Sequence, residues 1–299
     1  MSIRLNPDPL PDLLASIQQS EQNMNTASQQ LSSGQSVNEL SDDPAAAASV
    51  VLNHSQTSQD DQYLQNINTL QPGFQIADSS LNDVVTALTQ ALSLGTEGAN
   101  GTLNDADRQA IAVQVQGIQS QLVSLANATS QGAYLFSGTA VATQPFTLNS
   151  TTGAVTYNGN TGVNSVQISN GNSIQTNVPG SQLFLNPNGN VFTAIQDLNT
   201  ALQNNSNIGA AVTEIQNALN TVTTQRVFYG NALNQINSTE DFLNQDTVNL
   251  STQENSLIGA NLADAATNLA QAQTDEQATL NAAGRILSLP NLLTYLPPP

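Results

Sequence analysis

The sequence predicts a mainly α-helical protein, a long antiparallel helical bundle or coiled-coil rod with a small inserted antiparallel β domain. Apolar residues recur at seven-residue intervals on both sides of the middle of the chain, which is the pattern of long packed helices. The middle, residues 137–189, is rich in Gly, Asn, Thr and Ser and contains no Asp or Glu. Short apolar runs between turn residues predict strands there.

The N-terminal segment, residues 1–40, predicts a helix that begins near Pro11 or Asp12, because prolines crowd the residues before it. Its apolar residues form one narrow stripe, which comprises Leu10, Leu14, Ile17, Met24 and Leu31. A stripe this narrow does not stabilise an isolated helix in water. We therefore expect this helix to be stable only when it packs against other helices or other subunits.

Residues 41–136 predict two long helices. Asp42 and Asp43 precede Pro44, and this pattern favours a helix start, with Asp43 as cap and Pro44 in the first turn, over an acidic metal pair. The apolar positions that recur along the two helices are Ile67, Leu70, Phe74, Leu81, Val84, Leu88, Ile111, Val115, Ile118 and Leu122. Pro72 predicts a kink or a break in the first helix.

The connection between these two helices is predicted to be a turn at residues 95–101, which makes the helices antiparallel. Asn104 or Asp105 is expected to cap the second helix. Arg108 follows Asp105 and Asp107, so we interpret it as a local ion pair contributing a few tenths of a kcal/mol.

Residues 137–189 predict the inserted β domain. Three short runs of alternating apolar residues are its expected strands, and they are residues 145–148, 154–157 and 165–168. The dipeptides Asn158-Gly159 and Asn170-Gly171 lie at the ends of two of these runs and are typical of hairpin turns.

Residues 190–258 predict the second half of the helical core. One apolar row continues at seven-residue spacing, which predicts a single helix of about 50 residues. The core positions in this row are Ile215, Val222, Ile236, Leu243, Leu250 and Leu257. Arg226 interrupts the companion row, and it is either an assembly contact or the internal partner of an acid on a facing helix.

The C-terminal segment, residues 259–299, mirrors the N-terminal one, with a narrow stripe that includes Leu262, Leu269, Leu280 and Leu287. The layout is therefore palindromic, and we expect the two ends of the chain to meet. We also expect residues 1–40 and 260–299 to be mobile in the isolated monomer, with fast amide exchange.

The composition excludes most kinds of chemistry. The formal net charge is −18, with only four basic residues, so the chain has no basic surface for nucleic acid or anionic membranes. The sequence has no Cys and a single His, His54, which excludes thiolate sites and any site that needs two imidazoles. We expect His54 to be a solvated surface residue. No enzymatic activity, metal or cofactor is predicted, and neither a transmembrane helix nor a cleavable signal peptide is expected.

Several segments resemble the bacterial flagellin family over nearly the whole chain. The N-terminal segments are residues 30–35 (QLSSGQ), 41–48 (SDDPAAAA), 63–67 (YLQNI) and 107–112 (DRQAIA). Residues 132–138 (GAYLFSG) and 285–289 (RILSL) are more similar to the hook-associated branch of the family than to filament flagellin.

The resemblance implies a non-enzymatic structural component of the bacterial flagellum, exported through the type III route to the cell exterior. It implies assembly as a ring at the hook–filament junction, between hook-associated protein 1 and flagellin. The stripes of the two terminal helices would then form an inner tube, and an export chaperone would bind the C-terminal helix.

Two alternatives remain open from the sequence. The first is a filament-forming flagellin of the same family. The second is a secreted coiled-coil adhesin or fibre protein whose β insert binds a ligand.

Overall fold

The computed structural model describes residues 10–39 and 41–287. Within them the chain is mainly helical, which confirms the predicted fold class. The helices are α1 (Leu10–Ser33), α2 (Pro44–Gly98), α3 (Asp105–Ala126), α4 (Gly180–Phe184), α5 (Val191–Asn204), α6 (Ile208–Ile258) and α7 (Leu262–Leu287). None of the described helices is both long enough and apolar enough to span a membrane.

The strands pair in chain order as four antiparallel hairpins, β1–β2, β3–β4, β5–β6 and β7–β8. Their bounds are β1 (Thr129–Ser130), β2 (Ala133–Tyr134), β3 (Phe146–Leu148), β4 (Val155–Tyr157), β5 (Ser165–Ser169), β6 (Asn172–Gln175), β7 (Leu185–Asn186) and β8 (Gly189–Asn190). The three predicted runs correspond to β3, β4 and β5. The hairpins form four separate two-stranded sheets. Strand β3 contacts α3, and strands β7 and β8 contact α5.

Two compact units divide the chain. The first comprises Met1–Ser58 and Asp246–Pro299, and we call it the terminal unit. The second comprises Gln59–Gln245, and we call it the central unit. The long helices α2 and α6 contribute residues to both units.

The core of the central unit joins the hairpins to the helices. Phe136, Phe146, Phe184 and Tyr229 are buried in the same cluster as the apolar faces of α2, α3, α5 and α6. Phe136 lies edge-on to Phe184, with ring centroids 5.4 Å apart, and Phe146 lies edge-on to Phe184 at 5.3 Å. Such edge-to-face contacts stabilise aromatic clusters beyond their buried area. The residues predicted as an inserted β domain therefore share one core with the helices.

Helix α2 continues through Pro72 without a break, so the broken-helix alternative predicted for this position is wrong. A proline inside a helix costs roughly 3 kcal/mol, because it lacks the N–H group that would bond four residues back. Ile67, Phe74 and Ala77 flank Pro72 and are almost fully buried. We attribute the continuity to the packing of these side chains, which outweighs the lost hydrogen bond.

The predicted turn at residues 95–101 begins later than expected, because α2 extends to Gly98. A Cβ atom added to Gly95 would lie 2.8 Å from Val212 Cγ2, and one added to Gly98 would lie 2.2 Å from Leu202 Cδ2. These two glycines therefore allow α5 and α6 to approach α2 closely. The turn comprises residues 99–104, and Asn104 caps α3 by accepting a hydrogen bond from the Asp107 N–H at 2.9 Å.

Candidate assembly surface

Helices α1 and α7 pack against each other through small residues. Ser20 and Ala27 on α1 are buried, as are Ala265 and Ala272 on α7. The Ser20 hydroxyl donates a hydrogen bond to the Ala272 carbonyl oxygen, 3.1 Å away. Small side chains let two helices lie close together, because the distance between helix axes depends on the residues at the contact.

This small-residue seam leaves the larger apolar side chains of the terminal helices on the surface. Leu14 is 59% exposed, Leu31 41%, Leu262 51% and Leu280 50%. Residues Ile17, Met24 and Leu269 are half-buried. Leu10 and Leu287 lie in α1 and α7, but their side chains are outside the described part of the structure. Several apolar side chains of the predicted stripes are thus exposed on the α1–α7 pair, and Met24 of α1 and Leu280 of α7 line the same groove. We call these exposed side chains the apolar surface of the pair.

The seam itself was not predicted. Ser20 and Ala27 are seven residues apart, and so are Ala265 and Ala272. A seven-residue repeat of small residues was therefore present in the sequence, but a search for large apolar side chains does not detect it.

The ends of α1 and α6 are hydrogen-bonded to each other inside the terminal unit. Gln35 and Gly259 form an antiparallel bridge. The Ala260 N–H donates to the Gly34 carbonyl oxygen at 2.9 Å, and the Ser36 N–H donates to the Ile258 carbonyl oxygen at 2.6 Å. Gly34 has a φ of +71°, a conformation that glycine adopts without steric cost. These bonds hold the two helix ends at the base of the α1–α7 pair together.

Asp42 and Asp43 have separate roles at the start of α2. Asp43 Oδ1 accepts hydrogen bonds from the Ala45 and Ala46 N–H groups, each at 3.0 Å, which is the predicted helix cap. Asp42 Oδ2 accepts bonds from the Asn38 and Glu39 N–H groups, also at 3.0 Å. The bonds from Glu39 and Asn38 lower the pKa of Asp42, because they stabilise the carboxylate. Asp42 therefore closes the preceding loop and Asp43 begins the helix.

The positions predicted as the core of the long helices are buried, except Leu70, Leu250 and Leu257, which are half-buried. The apolar row on α6 also includes Tyr229, which is 2% exposed. Its hydroxyl accepts a hydrogen bond from the Val178 N–H at 3.3 Å, and burial raises the pKa of Tyr229 well above its ordinary value. Tyr229 therefore joins α6 to the segment after β6.

Arg226 on α6 is the internal partner of an acid on α2. Its Nε lies 2.7 Å from Asp78 Oδ1 and its Nη2 lies 3.0 Å from Asp78 Oδ2, while Nη1 donates to Asn82 Oδ1 at 2.8 Å. The bond to Asp78 raises the pKa of Arg226. Of the two interpretations left open by the sequence, the internal ion pair is the one whose contacts are visible in the chain.

Arg108 makes more contacts than the local ion pair that its spacing predicted. Arg108 is only 6% exposed, and its Nε and Nη2 donate to the carbonyl oxygens of Gly98 and Asn100 at 3.2 and 3.1 Å. Its Nη1 lies 3.5 Å from Asp105 Oδ1. The guanidinium group therefore binds carbonyl groups at the end of α2, where a cation is favourable. The sequence pattern missed this because the partners are backbone atoms.

The single histidine, His54, lies on the surface of α2. His54 is 63% exposed, as predicted for a surface residue, although its Nε2 lies 2.9 Å from Glu254 Oε1. Residues 10–39 and 41–287 contain no cluster of three or more His, Cys, Asp or Glu that could hold a metal ion.

One pair of carboxyl groups lies between α5 and α6. Asp197 and Glu214 line the same groove, together with Thr200 and Asn207. The groove lies beside the short loop that joins the two helices. Burial raises the pKa of Glu214, and the negative charge and hydrogen bond of Asp197 raise it further. Ionisation of Glu214 is therefore expected to be less favourable in the folded chain than in the unfolded one.

Comparison with known proteins identifies the family. Residues 12–141 match the bacterial flagellin N-terminal helical region, and residues 212–296 match the bacterial flagellin C-terminal helical region. The chain belongs to the bacterial flagellin family and is a structural component of the flagellum. Within that family it is 31% identical over 244 residues to flagellar hook-associated protein 3 of Salmonella typhimurium, covering 73% of this chain and 75% of that protein.

Solved structures share the fold. A putative flagellar hook-associated protein from Vibrio parahaemolyticus has a TM-score of 0.65 at 23% identity, covering 73% of this chain and 100% of that one. A flagellar junction protein from Legionella pneumophila has a TM-score of 0.62 at 16% identity, covering 71% of this chain and 100% of that one.

Proposed function

We propose that this protein is a non-enzymatic structural subunit that assembles as a ring at the hook–filament junction of the bacterial flagellum. In this proposal one face of the ring binds hook-associated protein 1 and the other binds the first flagellin subunits. The 31% identity to flagellar hook-associated protein 3 supports this location. The observation that carries the proposal is the exposed apolar surface on the α1–α7 pair.

In the two terminal helices, different residues pack inside the chain and face the surface. Their small residues are used for packing inside the chain, whereas Leu14, Leu31, Leu262 and Leu280 are still about half exposed or more. Exposed apolar residues on one helical pair are typical of a surface that another protein covers. Neighbouring copies that add their own α1–α7 pairs would bury these leucines in an inner tube.

The proposal assigns residues 1–40 and 259–299 to the inner tube. Residues 41–136 and 190–258 supply the surrounding helical layer, and residues 137–189 lie outside it. The protein would reach the cell exterior through the type III secretion route. Before export, a chaperone would bind the same exposed leucines of α7. We therefore expect fast amide exchange in residues 1–40 and 260–299 of the monomer. Binding of the chaperone or assembly should slow this exchange.

The direct experiment is deletion of the gene in its own bacterium. A junction subunit is required for the filament to begin, so the deletion strain should secrete flagellin as unpolymerised monomer and should not swim. A strain that still swims and grows a filament would contradict the proposal, and this is the result that an adhesin or fibre protein would give.

A filament-forming flagellin is the second candidate, because both matched regions are described for bacterial flagellin. Electron microscopy of the purified full chain separates the two. A junction subunit should remain monomeric or form short rings, whereas a flagellin polymerises into long open helices. Long filaments formed by this chain alone would favour the second candidate.

A further inference from the structure

The chain contains four Asn-Gly dipeptides, which begin at Asn100, Asn158, Asn170 and Asn188. In such a pair the glycine backbone nitrogen can attack the asparagine side-chain amide, because glycine has no side chain to obstruct the approach. The reaction needs the attacking nitrogen and the amide carbon to reach a near-attack geometry. The environment of each pair therefore decides which asparagine reacts in the folded protein.

Asn170 and Gly171 form the two-residue turn between β5 and β6, where Ser169 pairs with Asn172. Both turn residues are exposed. Gly171 has a φ of +72°, and a Cβ atom added to it would meet no other atom within 4 Å. Among the described residues, the Asn170 side chain has no hydrogen-bond partner. No described contact therefore opposes the approach of the Asn170 side chain to the Gly171 nitrogen.

The Asn158 pair is held on every side. Asn158 Nδ2 donates to Thr147 Oγ1 at 3.3 Å, and the Asn158 N–H donates to the Pro145 carbonyl oxygen at 2.8 Å. A Cβ atom on Gly159 would lie 2.5 Å from Tyr157 Oη and 2.7 Å from the Ser137 carbonyl oxygen. The peptide therefore has no room to turn.

The pairs at Asn100 and Asn188 are restrained in different ways. A Cβ atom on Gly101 would meet no other atom within 4 Å, so at the first pair the restraint acts on Asn100, whose carbonyl oxygen also accepts a hydrogen bond from Arg108 Nη2. Asn100 Oδ1 accepts hydrogen bonds from Thr102 N and Thr102 Oγ1 at 3.1 and 3.0 Å, which fix the side chain. Gly189 is buried and pairs with Asn186 in the β7–β8 ladder. A Cβ atom on Gly189 would lie 2.5 Å from the Asn217 carbonyl oxygen.

We propose that Asn170 is a site of spontaneous deamidation in the folded protein. The Gly171 nitrogen forms a bond with Asn170 Cγ, and the bond between Cγ and Nδ2 breaks. The Nδ2 nitrogen leaves as ammonia and takes up the proton that the Gly171 nitrogen loses. Water then adds to either carbonyl of the resulting five-membered succinimide ring and opens it to aspartate or isoaspartate. Water is the only co-reactant, and no redox change occurs.

The product alters the β5–β6 hairpin in two ways. Residues 109–196 contain no Asp, Glu, Lys, Arg or His, so the new carboxylate is the first charge in that stretch. Isoaspartate also adds a methylene to the backbone between the paired residues Ser169 and Asn172. The hairpin is bonded to α2 and α6 through Asn66 Nδ2 to the Gln167 carbonyl oxygen at 2.9 Å and Gln235 Nε2 to Asn172 Oδ1 at 3.4 Å. These contacts should weaken in aged protein.

The test is to incubate the purified full chain at mildly alkaline pH, in native buffer and in denaturant. Cleavage after aromatic residues, followed by mass spectrometry with fragmentation that distinguishes isoaspartate, reports each site separately. In native buffer Asn170 should convert about tenfold faster than the other three sites, whereas in denaturant the four rates should agree within about threefold. The variant Asn170→Gln should melt like the parent and should release ammonia at only the slower rate of the remaining sites.

Two results would overturn the proposal. One is an intact Asn170 in native samples where another of the four sites has reacted. The other is equal rates at all four sites in native buffer, because the folded environment would then have no effect. If Asn170 reacts first, amide exchange in residues 166–174 should become faster as the product accumulates.

Discussion

Replacement of Leu280 by Asp tests the assembly surface most directly, because the structure predicts a small effect on folding and a large effect on assembly. Leu280 is 50% exposed, so about half of the 1.5–3 kcal/mol associated with full burial of a leucine is still available to a partner, roughly 1 kcal/mol for each copy. An aspartate there would in addition place a carboxylate in an apolar contact, at a cost of several kcal/mol. In the monomer the same change affects a surface position and should cost only about 0.5 kcal/mol.

The matched control is Leu243→Asp in the core of the central unit, where Leu243 is 1% exposed. That substitution loses the full burial of the leucine and buries a carboxylate, so it should cost more than about 3 kcal/mol. For a unit of this size a loss of about 3 kcal/mol lowers the melting temperature by roughly 10 °C.

The effect on folding is measured by circular dichroism melting of the purified monomers. The effect on assembly is measured by a swimming assay of complemented deletion strains. Leu280→Asp should melt within a few degrees of the parent and should fail to restore swimming or to join the flagellum. A Leu280→Asp strain that swims normally would show that this surface is not buried on assembly. An unchanged melting temperature for Leu243→Asp would show that the apolar row of α6 is not buried.

Three further predictions concern individual contacts. Asp43→Ala should lower the free energy of unfolding by about 1 kcal/mol, measured by urea titration, because it removes the α2 cap. Asp43→Asn should recover most of the lost stability. Equal losses in the two variants would contradict the capping role. Arg226→Gln should cost up to about 1 kcal/mol, because its pair with Asp78 is partly exposed; Arg226→Lys should recover only part, since lysine cannot bond both carboxylate oxygens. The raised pKa of Glu214 stabilises the fold below the ordinary glutamate value of 4.5, and this contribution is lost as pH rises through the folded pKa. Glu214→Gln should therefore be more stable than the parent at pH 7 and less dependent on pH between 4 and 7, and parallel pH profiles would contradict this.

The parts of the fold that sequence patterns predict are those with local causes. The cap at Asp43, the cap at Asn104 and the 51-residue helix α6 follow from side chains within a few residues or from one repeating apolar row. The continuity of α2 through Pro72 does not, because it depends on how deeply Phe74 is buried by residues far along the chain. Arg108 was likewise placed by its sequence neighbours, whereas its strongest contacts are to carbonyl groups eight and ten residues away.

The assembly surface also depends on contacts between residues that are distant in sequence. The leucine rows of the terminal helices were visible in the sequence, but the sequence could not say whether those rows face each other or face outward. The buried Ser20, Ala27, Ala265 and Ala272 decide the question, because two helices that meet through small residues have no space for leucines between them. A pair joined through leucines would have used up its apolar surface within one chain. Because the pair is joined through small residues, the leucines stay on the surface, and their apolar area remains available to neighbouring copies.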